Sequence, residues 1–222
     1  MIIAVLLFIL LISLIFYIYI QITYKKYKKN NLKSGLSGFE VSRKIIDGYD
    51  LNNIYITESR TQLISKYDMN RKVIRLTDKV FNDDSLVSCA ISSLEATHAI
   101  QDKKNNKMFI IRERLIPFIG YLLIAGYLIT VFGCFFGHVN TIIAGLSIID
   151  FVLLFHLIFY KVDLSASKIA LIELVKNKII NKNEMKKMEE LLKVTSYTSF
   201  ASVFFPIVEL VKKIIAFGDS NK

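Results

Sequence analysis

The placement of charge constrains this chain more than any other feature. Ile2 to Ile22 carries no charged residue, and Leu115 to Tyr160 carries only Asp150. Crossing the hydrocarbon core of a bilayer takes roughly 20 apolar residues of helix. Inside it, backbone N–H and C=O groups must be bonded within the segment, so an apolar run of that length folds as helix. The first run makes one span. The second makes two, Leu115 to Phe136 and Thr141 to Tyr160, joined by the short uncharged turn Gly137-His138-Val139-Asn140. Thr195 to Leu210 is apolar with interspersed Ser and Thr, and reads as a fourth membrane or interfacial helix. The expectation is a mainly α integral membrane protein with three to four transmembrane helices.

The net charge of +10 follows the same map, because all 29 Lys and Arg lie outside the two apolar runs. Basic residues beside spans mark the cytoplasmic side and contact anionic lipid. The partner implied by this charge is therefore the lipid bilayer, not nucleic acid, for which no binding motif is present. Lys25, Lys26, Lys28 and Lys29 place the C-terminal end of the first span in the cytoplasm. That first run has no basic leader and no small-residue cleavage site, so it reads as a retained anchor. Cys89 and Cys134 form neither a C-x-x-C pair nor a disulfide framework.

Outside the spans the chain breaks into short elements. Ser37-Gly38-Phe39-Glu40 fits a capping box for a helix running to about Asp47. Asn53 to Thr57 and Lys72 to Thr77 read as two short strands, with Lys66-Tyr67-Asp68-Met69-Asn70 as a turn between them. Asp83, Asp84 and Ser85 open a helix. Arg112, Glu113 and Arg114 read as an interfacial anchor for the second span. Val162 to Ile180 reads as a helix, and Asn183 caps another on which Met185, Met188, Leu191 and Leu192 share one face. Asp150 is costly in lipid and calls for a polar partner such as Tyr121, Tyr127 or Thr130. The resulting segments are an anchor (1–23), a cytoplasmic domain (24–114), a transmembrane hairpin (115–160), further cytoplasmic helices (161–194) and the fourth membrane or interfacial helix (195–217).

The helix opened at Ser85 carries Leu94-Glu95-Ala96-Thr97-His98. This is the metallopeptidase pattern H-E-x-x-H with leucine in place of its first histidine. In the intact pattern the two histidines, at i and i+4 on one helical face, hold zinc, and the Glu takes a proton from the metal-bound water. Glu95 is thus the candidate catalytic base and His98 a candidate metal ligand. Asp102 lies at i+4 from His98 on the same face and is a possible replacement ligand.

On these residues and their surroundings, the chain resembles the YugP-type membrane zinc metallopeptidases of bacteria over almost its full length. The landmarks occur in order: the first span and its basic stretch, Gly35-Leu36-Ser37-Gly38-Phe39-Glu40-Val41-Ser42-Arg43, Tyr67-Asp68 leading into Arg71-Lys72-Val73-Ile74-Arg75-Leu76, and His98-Ala99-Ile100-Gln101. After the hairpin comes Val162-Asp163-Leu164-Ser165-Ala166-Ser167, where the family has V-E-F-x-A-S. The resemblance implies zincin-like metallopeptidase helices with a minor two-strand β element, in a multi-pass protein of the bacterial cell membrane whose soluble part is cytoplasmic. It also implies zinc as the family's cofactor. Glu95 stands in place of the catalytic Glu, His98 in place of the second His ligand, and Asp163 in place of the third ligand, a Glu. Leu94 stands where the first His ligand is expected, and Lys161 departs from a common Pro.

With one ligand missing and another one methylene shorter, zinc is expected to be weak or absent here. Glu95 then has no activated water to deprotonate. The first functional expectation is a pseudoprotease that binds a peptide or membrane-protein partner in its old cleft, where the strand Lys72 to Thr77 offers edge hydrogen bonds. The alternatives are a residual zinc-dependent membrane endopeptidase, with metal on His98, Asp163 and one further ligand, and a non-catalytic scaffold or partner subunit.

Overall fold

The computed structural model describes residues 2–59, 64–201 and 203. The elements are α1 (Ile2–Tyr27), α2 (Gly38–Asp47), β1 (Tyr55–Ser59), β2 (Lys66–Asp68), β3 (Val73–Thr77), α3 (Asp78–Phe81), α4 (Leu86–Lys103), α5 (Lys107–Phe136), α6 (Val139–Lys176), α7 (Lys182–Thr195) and α8 (Thr198–Ala201). The chain is mainly helical, as its composition required. It divides into two compact units.

One unit gathers the described residues up to Tyr19, Leu115–Ile158 and those from Tyr197 onward. Its α5 stops at Gly137, which takes the left-handed backbone (φ +69°) that costs glycine nothing. The N–H of His138 donates back to the Gly133 carbonyl at 2.9 Å, and α6 starts at once. The two helices approach closely through glycine. A Cβ added to Gly145 would lie 2.6 Å from the backbone nitrogen of Thr130, and one on Gly133 would lie 2.7 Å from that of Ile142. Small residues allow this close backbone contact where packing, not water, drives association. Ile119, Leu123, Ile149, Val152, Leu153 and Val203 form the buried cluster of the unit. Phe118, Tyr121, Leu128 and Phe135 are exposed, an apolar outer face. Asp150 is buried, and its carboxylate oxygens have no hydrogen-bond partner among the described residues. Two of its expected partners are engaged with backbone instead: Tyr127 Oη donates to the Val203 carbonyl, and Thr130 Oγ1 to that of Gly126. The third, Tyr121, is exposed.

Among the described residues two helices, α5 and α6, are long and apolar enough to cross a membrane. The sequence had suggested three or four. The last turns of α1, from Ile20, belong to the other unit, where Tyr24 Oη donates to Thr195 Oγ1 and Tyr27 Oη to Glu190 Oε2. Thr23 and Tyr27 are buried there, while Ile22, Lys25 and Lys26 stay exposed. Segment 195–217 lies mostly outside the described residues. A further correction concerns α6, which runs unbroken through positions expected to hold a span and then a separate helix. No Gly or Pro falls between Leu146 and Lys176 to interrupt it. Helix α5 likewise begins at Lys107 and accommodates Pro117 internally.

The second unit, Ile20–Arg114 with Phe159–Ser196, is built around α4. Most residues of α4 are buried, and it packs against α2, α3, α7, β2 and β3. A helix enclosed on all sides normally needs an apolar surface. Here Ser92, Ser93 and Thr97 are tolerated because their hydroxyls donate to the carbonyls of Cys89, Ala90 and Ser93, leaving no unpaired donor. The helix starts are set by side-chain caps. Ser37 and Glu40 form the expected capping box of α2, and Ser85 Oγ accepts from the Ser88 N–H at the start of α4. The cap of α7 is Asn181, two residues before the expected Asn183, because Glu184 completes a capping box with it. Met188, Leu191 and Leu192 are buried.

The sheet has three strands among the described residues, in the order β1-β3-β2, with β1 parallel and β2 antiparallel to β3. The expected two-strand element is thus too small, because Lys66–Asp68 is a strand and not a turn. It pairs Tyr67 opposite Ile74, and only Tyr67 of its three residues is fully buried. Three residues are too few to display a period of two. The turn follows instead, with Asp68 Oδ1 accepting from the N–H groups of Asn70 and Arg71. The added strand makes β3 central. The edge role foreseen for Lys72 to Thr77 is therefore corrected: β1 and β2 are the edges.

Candidate active site

Helix α4 brings Leu94, Glu95, His98 and Gln101 to the middle of the second unit. Leu94 and His98 are one turn apart on one face, and both are buried. The facing residue comes from α6. Asp163, which is 3% exposed, places Oδ1 3.6 Å from His98 Nε2. The helix order and the Val162-Asp163 segment thus bring together two of the three candidate site residues. The first turns of α5 close the group. Phe109 stacks on the His98 ring at 5.4 Å between centroids. Arg112 Nη2 lies 3.0 Å from Asp163 Oδ1 and 3.3 Å from Oδ2, while Arg112 Nη1 lies 2.6 Å from Glu113 Oε1.

Glu95, the third candidate, is held from the sheet. Its Oε2 accepts the backbone N–H of Tyr67, at 2.6 Å, from the edge strand β2. Burial pushes the Glu95 carboxyl up to about 8. The Tyr67 N–H and the Arg112 charge oppose the shift, and Glu113 and Asp163 add to it. Burial and the Arg112 charge hold His98 down at about 4, against the pull of Asp163 and Gln101. His98 is therefore neutral near pH 7.

The tautomer of His98 is assigned from the surrounding bonds. Gln101 Nε2 donates to the Val162 carbonyl, which turns its Oε1 towards His98 Nδ1 at 2.9 Å. That oxygen can only accept, so Nδ1 carries the proton and the Nε2 lone pair faces Asp163. A hydrogen bond of this kind at Nδ1 leaves Nε2 free to face a metal.

Other candidates are drawn elsewhere. Asp102 Oδ2 accepts from Tyr67 Oη at 2.6 Å and pairs with Lys72, so it serves the sheet instead of a shifted metal site. Among the described residues no group of three or more His, Cys, Asp or Glu side chains is set to hold a metal ion. A catalytic zinc needs three protein ligands and an open position. Here His98 and Asp163 converge, Leu94 offers no donor, Glu95 is turned to the sheet backbone, and Arg112 is already on Asp163.

Arg112, expected as part of a membrane-interface anchor, is largely buried in the site and paired with Asp163. Its signal was present. Phe109, Arg112 and Glu113 stand at i, i+3 and i+4 on α5, so a buried Phe109 carries the two charges to the same face. The burial of Tyr67, hidden in a three-residue strand, had no such signal.

Glu95 and His98 act on stability with opposite sign. Glu95 is raised from 4.5 to about 8, so the folded state binds more protons between those values. Its contribution is complete below pH 4.5 and is lost as pH rises through 8. His98 is lowered from 6.5 to about 4, so its contribution is complete above pH 6.5 and is lost as pH falls through 4. Of these two groups, only Glu95 contributes a slope between pH 6.5 and 8. Glu95→Gln keeps an acceptor for the Tyr67 N–H and cannot ionise. Thermal unfolding of the detergent-solubilised wild type should show stability declining across that window, and Glu95→Gln should flatten the decline. Parallel curves for the two proteins would contradict this electrostatic assignment.

A family model described as "Putative neutral zinc metallopeptidase" matches residues 1–218. The chain is also 26% identical over 198 residues to "Putative membrane protease YugP" of Bacillus subtilis (strain 168), a match covering 89% of this chain and 88% of that protein. No solved structure matches the chain. The family expected from the sequence landmarks is the one found, and it spans the fold from α1 onward: the chain belongs to this family of neutral zinc metallopeptidases.

Proposed function

We infer that the chain is a membrane-embedded, zinc-metallopeptidase-like protein with a degenerate zinc site, a pseudoprotease that engages a peptide or membrane-protein partner. The observation that carries the reading is Leu94, a buried aliphatic side chain one turn before His98, in the place that H-E-x-x-H gives to a ligand. Leucine cannot coordinate metal. Two convergent donors, one of them paired with a guanidinium, leave water near its bulk pKa and Glu95 with no activated proton to take. Glu95 is then a structural acceptor for the β2 backbone. The Glu95 contact occupies the Tyr67 N–H of edge strand β2, so a strand-like partner would compete with it for that donor.

The orientation of His98 by Gln101 favours a second reading, a residual zinc-dependent endopeptidase. Zinc stoichiometry separates the two. Elemental analysis after detergent purification should find little zinc in the wild type and about one per chain in the Leu94→His, Asp163→Glu double variant, which restores the donor set. Equal zinc in both, lost on His98→Ala, would establish the second reading and overturn the first.

The basic stretches Lys25 to Arg114 and Lys161 to Lys193 favour a cytoplasmic site, with the Gly137-His138 turn and the start of α6 outside. In a Cys134→Ala background, a membrane-impermeant thiol reagent on intact cells should modify Val139→Cys and spare Asn70→Cys. The reverse pattern would invert this topology.

A further inference from the structure

We propose that Arg112 is the resident cation of this site and supplies the positive charge that a metal would otherwise bring to the buried carboxylates. The inference deepens the pseudoprotease reading and rests on it in one respect, that zinc does not hold Asp163. The guanidinium sits between two acids from different helices. Its Nη2 is within 3.3 Å of both oxygens of Asp163 on α6, and its Nη1 is 2.6 Å from Glu113 on α5. All three side chains are largely withdrawn from water, at 14%, 5% and 15% exposure. Glu95 lies close enough to feel the same charge.

A carboxylate so enclosed is tolerated only with a compensating charge, and removing one member of a buried pair leaves the other uncompensated. In a metal site the cation is itself the largest local charge and fills this role. Arginine is suited to replace it. Its charge is permanent, its planar fork serves two carboxylates at once, and its weak hydration lowers the cost of burial. With Leu94 in the ligand position a metal on His98 and Asp163 would be under-coordinated, whereas Arg112 already pairs with Asp163.

The test is thermal unfolding of the full chain in detergent, with either chelator or added zinc. The wild-type midpoint should be the same in both. Arg112→Gln should lower the midpoint in chelator by roughly 10 °C or more, as expected for an unpaired buried carboxylate. Added zinc should recover part of that loss, because the freed carboxylates and His98 can then accept a cation. Arg112→Lys, which keeps the charge without the fork, should fall between the two in chelator and gain little from zinc. If Arg112→Gln does not fold, adding Asp163→Asn should rescue it by removing the uncompensated charge. Failure of that rescue would overturn the proposal, as would an Arg112→Gln midpoint equal to wild type in chelator. Either result leaves the pseudoprotease reading standing, whereas a wild-type midpoint that falls in chelator overturns both.

Discussion

Burying Asp163 requires a nearby positive charge, and the architecture of the second unit meets that requirement. Asp163 lies on α6, against His98 of α4, and Arg112 reaches it from α5. The three helices are fixed by different means. Helix α4 is enclosed on all sides and satisfies its hydroxyls along its own backbone. The early turns of α5 are anchored by Phe109, which is fully buried and stacked on His98. Gln101 ties α4 to the backbone of α6 at Val162. Shifting α5 against α6 would separate charges that are stable only together, and shifting α4 would remove the His98 and Gln101 contacts that enclose them.

Much of this was legible in the sequence because it depends on local chemistry. The capping residues Ser37, Glu40 and Ser85 each satisfy an orphan helical N–H, a need that exists before any tertiary contact forms. The glycine turn at 137 is legible for the same reason. The proximity of His98 and Asp163, 65 positions apart, came from the landmarks of the family and not from spacing. What escaped was set by tertiary context. Lys66–Asp68 is a strand only because β3 pairs with it, and that pairing moves β3 from edge to centre. Arg112 was read by its position next to an apolar run, while its burial is decided by the face it shares with Phe109. The change from apolar to charged residues near Tyr160 suggests a boundary, yet α6 runs on through it. A helix is ended by capping or by loss of its backbone bonds, and polarity alone does neither.

The retained and altered parts of the site follow a pattern. His98 keeps its orienting partner Gln101, and Glu95 keeps its place beside the first ligand position. Leu94 stands where the H-E-x-x-H pattern has a metal ligand, and Asp163 is paired with Arg112. In the reading proposed above, Arg112 supplies the positive charge beside Asp163.

The most direct measurement is an anomalous difference map, recorded at the zinc absorption edge from crystals of the full chain grown with excess zinc. The account predicts no zinc peak between His98 and Asp163, and the Arg112 guanidinium in contact with both Asp163 oxygens. A peak about 2.0–2.2 Å from His98 Nε2 and from an Asp163 oxygen, with Arg112 turned away, would contradict it.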